Sequence, residues 1–153
     1  MTTFDLYYSY SQISVFLPSL NQPFNDWSER HVKQGFAWRN HSVSFRMLQE
    51  EGLCKLSSIV DSEFKPNTSA IRAFAVPFEI DNNEVEIGSI TDSRCFDVPS
   101  GQYALYVEVG MTNEGQEWAS VTFVSQARIE PQILIVDSDL SPEYPLDMSA
   151  GPA

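Results

Sequence analysis

The amino-acid sequence predicts a mostly β protein, a β-sandwich or flattened barrel of about eight or nine strands with one short helix near residues 27–34. The alternation along the chain predicts this fold class, and the length and composition predict a single domain. Apolar and polar residues alternate in many short segments, which are separated by proline, glycine and asparagine. The chain also has 153 residues, 42% of them hydrophobic, which is enough for one buried core. We therefore expect a single β-rich domain over residues 1–137, followed by a mobile, acidic, proline-containing tail over residues 138–153.

In the first segment that is typical of a strand, the alternation of apolar residues changes phase part-way along. Its apolar positions are first Phe4, Leu6, Tyr8 and Tyr10, and then Ile13, Val15 and Leu17. Because side chains on a strand alternate between its two faces, the second set would face the other way if the strand were regular. The change of phase predicts a kink or bulge near Ser11-Gln12.

The only helix signal follows a proline-bounded loop. Asp26 is a suitable N-cap, and Glu29 three residues later completes the pattern of a capping box. A glycine at position 35 is a typical C-terminal stop. The helix is therefore predicted to begin at Trp27 and to end at about Gln34.

The remaining strand signals follow closely one after another. They lie at residues 42–48, 53–60, 70–80, 85–90, 94–98, 102–109, 118–129 and 132–136. Pro99-Ser100-Gly101 is a good turn sequence between two of these strands. The spacing is that of an antiparallel sandwich or barrel.

Charge is distributed unevenly along the chain. The sequence has 21 acidic and 9 basic residues, a net charge of -12. Residues 73–153 hold 14 of the acids but only Arg94 and Arg128 as bases, so this part alone carries 2 - 14 = -12. Proteins that bind phosphate groups need the opposite sign, so direct binding to nucleic acid or to membrane lipid is disfavoured. A basic protein is the electrostatic complement, although the acids would also serve solubility alone.

No catalytic, metal-binding or cofactor-binding pattern stands out. The sequence contains no HExxH, CxxC or GxSxG motif. His31 and His41 fall on different predicted elements, and His31 is interpreted as a packing residue of the helix. Cys54 and Cys95 are interpreted as buried small apolar groups. The sequence thus predicts a protein that is not an enzyme and has no cofactor or metal.

One acidic segment, residues 78–87, is a candidate binding site. Its centre, Asn82-Asn83, suits a two-residue hairpin loop because asparagine tolerates positive φ. In that hairpin all the carboxylates would point to one face, and two later acids would extend the row. The candidate partner-binding residues are Glu79, Asp81, Glu84, Glu86, Asp92 and Asp97. Either this face binds a positively charged partner, or it is a solvated edge protected against pairing with other sheets.

Several segments resemble the competence protein J family. They are Asp26-Trp27-Ser28-Glu29, Lys33-Gln34-Gly35-Phe36-Ala37, Val43-Ser44-Phe45, Val76-Pro77-Phe78-Glu79-Ile80, Ile87-Gly88-Ser89-Ile90 and Phe96-Asp97-Val98-Pro99-Ser100-Gly101-Gln102-Tyr103. The resemblance covers roughly residues 6–136. It implies a small acidic protein that binds and restrains the bacterial DNA-entry nuclease without catalysis of its own. It supplies no contact residues.

The sequence is therefore interpreted as an acidic inhibitor of a basic bacterial nuclease, which would occlude the DNA-binding groove by imitating phosphate. The nuclease is either a DNA-entry enzyme or a toxin for which this chain is the immunity protein. A ligand-binding or hydrolytic β-sandwich with a site assembled from distant residues is the alternative. A structural subunit assembling through Trp27, Phe36 and Trp38 is a third. A cytoplasmic location is expected, with a membrane reached only through the nuclease, and the oligomeric state is left open.

Overall fold

The structure, a computed structural model, describes residues 1–153 and contains thirteen strands and one helix. The strands are Thr2–Tyr8 (β1), Gln12–Phe16 (β2), Asn25–Asp26 (β3), Phe36–Arg39 (β4), Ser42–Arg46 (β5), Gly52–Asp61 (β6), Ala70–Ile80 (β7), Glu84–Gly88 (β8), Ser93–Asp97 (β9), Gly101–Met111 (β10), Glu117–Ser125 (β11), Gln132–Ile135 (β12) and Gly151–Pro152 (β13). The helix, α1, is Glu29–Gln34.

The molecule has two large sheets and a third sheet of two short strands, β13 and β3. The six-stranded sheet has the order β1-β6-β11-β10-β7-β12, and the five-stranded sheet has the order β4-β5-β2-β8-β9. The β6–β11 pair is parallel, and the other pairs are antiparallel. Apolar residues of both sheets share one cluster of 26 buried residues. The predicted flattened β-sandwich with one short helix is therefore confirmed.

Aromatic rings join the two sheets at the centre of the core. Phe74 on β7 contacts Phe36 on β4 and Phe45 on β5, with ring centroids 6.0 and 5.6 Å apart. This packing requires a glycine beside it, because a Cβ atom at Gly35 would lie 2.9 Å from the Phe74 ring. Gly35 also has φ +89°, which other residues rarely adopt. The glycine predicted to stop the helix thus also permits the close approach of Phe74.

The change of phase near Ser11-Gln12 corresponds to a turn that connects the two sheets, and the predicted kink or bulge within one strand was wrong. Tyr10 and Ser11 both have φ of 57°, and the chain passes from β1 in the six-stranded sheet to β2 in the five-stranded sheet. Both sets of apolar side chains can therefore face the same core from opposite sides. No strand is predicted at β4, since the apolar residues Phe36, Ala37 and Trp38 are consecutive and show no alternation.

The helix begins two residues later than predicted and has a different cap. Ser28 is the N-cap: its hydroxyl accepts a hydrogen bond from the His31 amide at 3.2 Å. The His31 ring accepts one from the Ser28 amide at 3.0 Å, and His31 is buried. Asp26 cannot be the cap because its backbone is extended and pairs with Gly151. With six residues, α1 is neither long nor apolar enough to cross a membrane, and there is no other helix.

Residues 138–153, expected to be mobile, make contacts with the domain along much of their length. The side-chain amide of Gln34 donates to the carbonyl of Asp147 at 2.8 Å and accepts from its amide at 2.9 Å. The amide of Ala150 donates to the carbonyl of Trp38, and Leu140 is 6% exposed beside Gly35. We propose that this segment is part of the domain and contributes to its stability.

Leu140→Ala tests that proposal. We expect it to lower the free energy of unfolding by about 2 to 3 kcal/mol, the usual cost of truncating a buried leucine. The matched control is Leu134→Ala, which removes the same atoms from a side chain that is 42% exposed and should cost well under half as much. Urea denaturation followed by circular dichroism measures both values. Equal, small effects would mean that the tail does not remain packed.

Candidate partner-binding surface

The acidic hairpin predicted over residues 78–87 does not form. Strand β7 lies in the six-stranded sheet and β8 in the five-stranded sheet, so the two strands do not pair. Asn82 and Asn83 do have positive φ, 60° and 54°, but their turn connects one sheet to the other. The predicted cross-strand pairs of Asp81 with Glu84 and of Glu79 with Glu86 were therefore wrong.

The turn is fixed instead to the segment that precedes β10. The Asn83 amide donates to the Ser100 hydroxyl at 2.9 Å, and the Asn83 side chain accepts from the Ser100 amide at 2.7 Å. The carbonyl of Asn83 also accepts from the amide of Val98. These bonds hold the connection between the sheets in one conformation. Because β7 and β8 lie in different sheets, the acids of the predicted row fall into three groups.

The first group lies on the hairpin that β8 makes with β9. Glu84 is directly opposite Asp97, and Glu86 is opposite Cys95. Because Val85 and Ile87 are buried, Glu84 and Glu86, which alternate with them along β8, point away from the core. Neither Glu84 nor Asp97 has a cation within ion-pair distance. We call Glu84, Glu86 and Asp97 the acidic hairpin face.

The thiol of Cys95 lies within the acidic hairpin face. Its Sγ atom is 3.7 Å from Oε1 of Glu86, and partial burial together with the carboxylates of Glu86 and Glu84 raises the pKa of the thiol to about 11. The expectation that Cys95 is buried was wrong, since the residue is exposed, whereas Cys54 is buried as expected. The surrounding negative charge keeps the Cys95 thiol protonated near neutral pH.

The second group is Asp92 alone, at the other end of the same hairpin. Its carboxylate accepts a hydrogen bond from the Tyr7 amide at 3.1 Å and pairs with the Arg94 guanidinium at 2.7 Å. Partial burial opposes ionisation, but these two contacts outweigh it and hold the pKa of Asp92 below its ordinary value. Asp92 thus connects the hairpin to β1, and its charge is balanced internally.

The third group, Glu79 and Asp81, lies beside a histidine that the sequence did not associate with it. Nε2 of His41 is 3.0 Å from Oε1 of Glu79 and 3.5 Å from Oδ2 of Asp81. Gln102, opposite Glu79 on β10, donates to its other oxygen at 2.8 Å. His41 is 38 residues from Glu79 in the chain, so no local spacing could have indicated the contact.

The three aromatic residues that an assembly role would expose are engaged within the chain. Phe36 is fully buried. The indole of Trp27 donates to the side chain of Gln12 at 3.0 Å, and that of Trp38 donates to the carbonyl of Pro77 at 2.7 Å. Packing therefore accounts for these residues.

A groove on the outer face of the six-stranded sheet is the candidate site for the alternative function, a ligand-binding or hydrolytic β-sandwich. It has a volume of about 630 Å³, and Phe64 and Tyr106 stack in its wall with centroids 4.1 Å apart. Burial raises the pKa of Glu108, which also lines it. No histidine, cysteine or hydroxyl nucleophile other than the Tyr106 phenol is among the lining residues. The groove offers apolar surface without a recognisable catalytic set.

Comparison with known proteins decides the family. The model of the family described as competence protein J (ComJ) matches residues 5–143. The chain belongs to the competence protein J family. Among solved structures, the crystal structure of ComJ from Bacillus subtilis, described as an inhibitor of the DNA-degrading activity of NucA, is similar with a TM-score of 0.69. The two are 23% identical, and the match covers 82% of this chain and 96% of that one. The search of curated proteins found no match.

Family membership confirms the resemblance noted over residues 6–136, and the matched region continues into the tail. Several acids of this ComJ-family chain nevertheless have partners within the fold. Burial raises the pKa of Glu117, which accepts hydrogen bonds from the Tyr8 hydroxyl and the Leu48 amide. Asp137 and Asp139 pair with Arg72. The net charge of -12 therefore overstates the acidity available to a partner.

Asp92 and Asp97 have different surroundings, so the same substitution by asparagine should change the free energy of unfolding differently at the two positions. Asp92→Asn should lower the free energy of unfolding at pH 7 by about 1 kcal/mol, since a charge-assisted contact is lost at a partly exposed site. Asp97→Asn should leave it unchanged or raise it by a few tenths, because repulsion with Glu84 is relieved. Chemical denaturation of both variants measures the difference.

The effect of Asp92→Asn should also depend on pH. The folded state lowers the pKa of Asp92, so the stabilisation is complete above the ordinary aspartate pKa and is lost as pH falls through the folded value. The difference in stability between Asp92→Asn and wild type should therefore shrink as pH falls below the ordinary aspartate pKa, and it should vanish at a pH below the folded pKa of Asp92. A constant difference down to that pH would contradict the ion pair.

Proposed function

We propose that this protein binds a bacterial nuclease and inhibits its degradation of DNA, without catalysing a reaction itself. The observation that carries the proposal is membership of the ComJ family, together with a fold similar to that of Bacillus subtilis ComJ, the inhibitor of NucA activity. A DNA-entry type of nuclease is the first choice of partner. A nuclease toxin, with this chain as its immunity protein, would involve the same chemistry.

The proposed contact surface is the acidic hairpin face, with Glu79 and Asp81 beside it in the chain. The absence of a cation near Glu84 and Asp97 supports this choice, because two opposed carboxylates repel each other until a positive group approaches. A nuclease groove that binds DNA phosphates would supply such groups. Asp92 was also a candidate, but its pairing with Arg94 leaves it less charge to offer.

The location proposed is the cytoplasm, with any membrane reached through the nuclease. Neither cysteine forms a disulfide, which is typical of proteins in a reducing compartment.

Charge reversal tests both the function and the surface. Wild-type protein should inhibit DNA cleavage by a NucA-type nuclease from the same organism, measured as release of a fluorophore from labelled duplex DNA. The double variant Glu84→Lys/Asp97→Lys should raise the inhibition constant at least tenfold, because it places two cations opposite the basic groove.

The matched control is Glu114→Lys combined with Glu63→Lys. Both are exposed acids whose carboxylates accept no hydrogen bond, and the control changes the net charge by the same amount. Glu114 lies in the turn after β10. The other end of β10 lies beside Asn83, and the strand is about 30 Å long, so Glu114 is far from the connection between β7 and β8. Equal inhibition by the hairpin variant and wild type would reject the surface, whereas failure of wild type to inhibit would reject the function.

Ionic strength should act mainly on association. Between 50 and 500 mM NaCl we expect the association rate constant with the nuclease to fall about tenfold, while the dissociation rate constant changes much less. Surface plasmon resonance with immobilised nuclease measures both constants. An association rate constant that does not change with salt would contradict an interface in which carboxylates attract the basic nuclease.

A further inference from the structure

The cluster of His41, Glu79 and Asp81 has the donor set of a metal site. One imidazole nitrogen and two carboxylate oxygens lie within 4.8 Å of one another. The nitrogen–oxygen separations of 3.0 and 3.5 Å bracket the spacing of about 3.3 Å between ligands in a tetrahedral zinc site with bonds near 2.0 Å. We propose that these three residues bind a divalent transition-metal ion, with Zn²⁺ as the representative.

The donors come from two different parts of the fold. His41 is in the turn between β4 and β5, and its carbonyl accepts from the amide of Leu17, which fixes the turn. Glu79 is at the end of β7 in the opposite sheet, and Asp81 follows in the connection to β8. The separation between His41 and the two carboxylates is therefore set by the packing of the two sheets. A bound ion would connect the sheets at this edge.

The surroundings suit a metal ion in two further respects. Gln102 holds the second oxygen of Glu79, which orients the first toward His41, as residues outside a metal's own ligands commonly do. A hollow of about 310 Å³, lined by Trp38, Asn40 and Gln102 among others, borders Glu79. It gives access to solvent, so water would complete the coordination.

The mixture of donors selects the class of ion. Imidazole suits Zn²⁺ and neighbouring transition metals, whereas Mg²⁺ prefers six oxygen ligands in a strict octahedron. Three protein ligands, with side-chain exposures of 24, 38 and 58%, leave the site open on one side. Mg²⁺ should therefore not compete at concentrations where Zn²⁺ saturates the site.

Isothermal titration calorimetry of the untagged, metal-free full chain with ZnCl₂ tests the proposal. Wild type should bind one Zn²⁺ per chain, and His41→Asn should weaken binding at least tenfold. Asparagine is chosen because His41 has φ 72°, which asparagine tolerates. Glu79→Gln is the second variant and should also weaken binding. The control is Asp97→Asn, which removes the same charge as Glu79→Gln outside the cluster and should bind like wild type.

Thermal unfolding gives an independent measurement. Saturating Zn²⁺ should raise the unfolding midpoint of wild type and of Asp97→Asn, since an ion that binds only the folded chain stabilises it. The midpoints of His41→Asn and Glu79→Gln should respond much less. No saturable heat at 1 mM Zn²⁺, equal affinity in wild type and His41→Asn, or equal weakening in Asp97→Asn would each overturn the proposal.

Discussion

A single buried cation, Arg72, connects the main parts of this fold. It lies on β7 and is 1% exposed. Its guanidinium donates to the carbonyls of Arg46 and Met47, at the end of β5 in the opposite sheet, and to Asp137 at 3.0 Å. An unpaired charge in this position would cost several kcal/mol, so the carboxylates of Asp137 and Asp139 are required by the burial of Arg72. The start of the tail is thus tied to the core by electrostatics.

Because some acids are needed to compensate Arg72, the acidic composition does not by itself measure the charge available to a partner. Acids that pair with Arg72 or accept buried hydrogen bonds serve the fold, and their charge is partly compensated before a partner approaches. What distinguishes the acidic hairpin face is that Glu84 and Asp97 oppose each other without a cation. The fold tolerates a repulsion of this size, about 1 kcal/mol or less, because its stability comes from the core. A cationic partner would remove it, and the surface proposal depends on this difference between compensated and uncompensated acids.

The sequence was sufficient for the fold class but not for the pairing of strands. Alternation identified which side chains of β7 and β8 point inward, and Asn82-Asn83 identified the turn. However, a hairpin and a connection between two facing sheets bury the same alternate residues, so alternation does not distinguish them. The helix cap shows a similar ambiguity: Asp26 fitted the local pattern, but pairing with Gly151, distant in the chain, excluded it. Contacts of this kind have no local signature.

The proposed metal site and the proposed interface are coupled through shared carboxylates. Glu79 and Asp81 cannot offer their full charge to a nuclease while they bind a divalent cation. If the nuclease contacts these two acids, thermodynamic linkage requires that the metal change nuclease affinity by the same factor as the nuclease changes metal affinity. If only the acidic hairpin face is in contact, the two equilibria are nearly independent, since Glu84 and Asp97 lie outside the metal cluster. The sensitivity of inhibition to Zn²⁺ therefore indicates how far the interface extends from β8 toward β7.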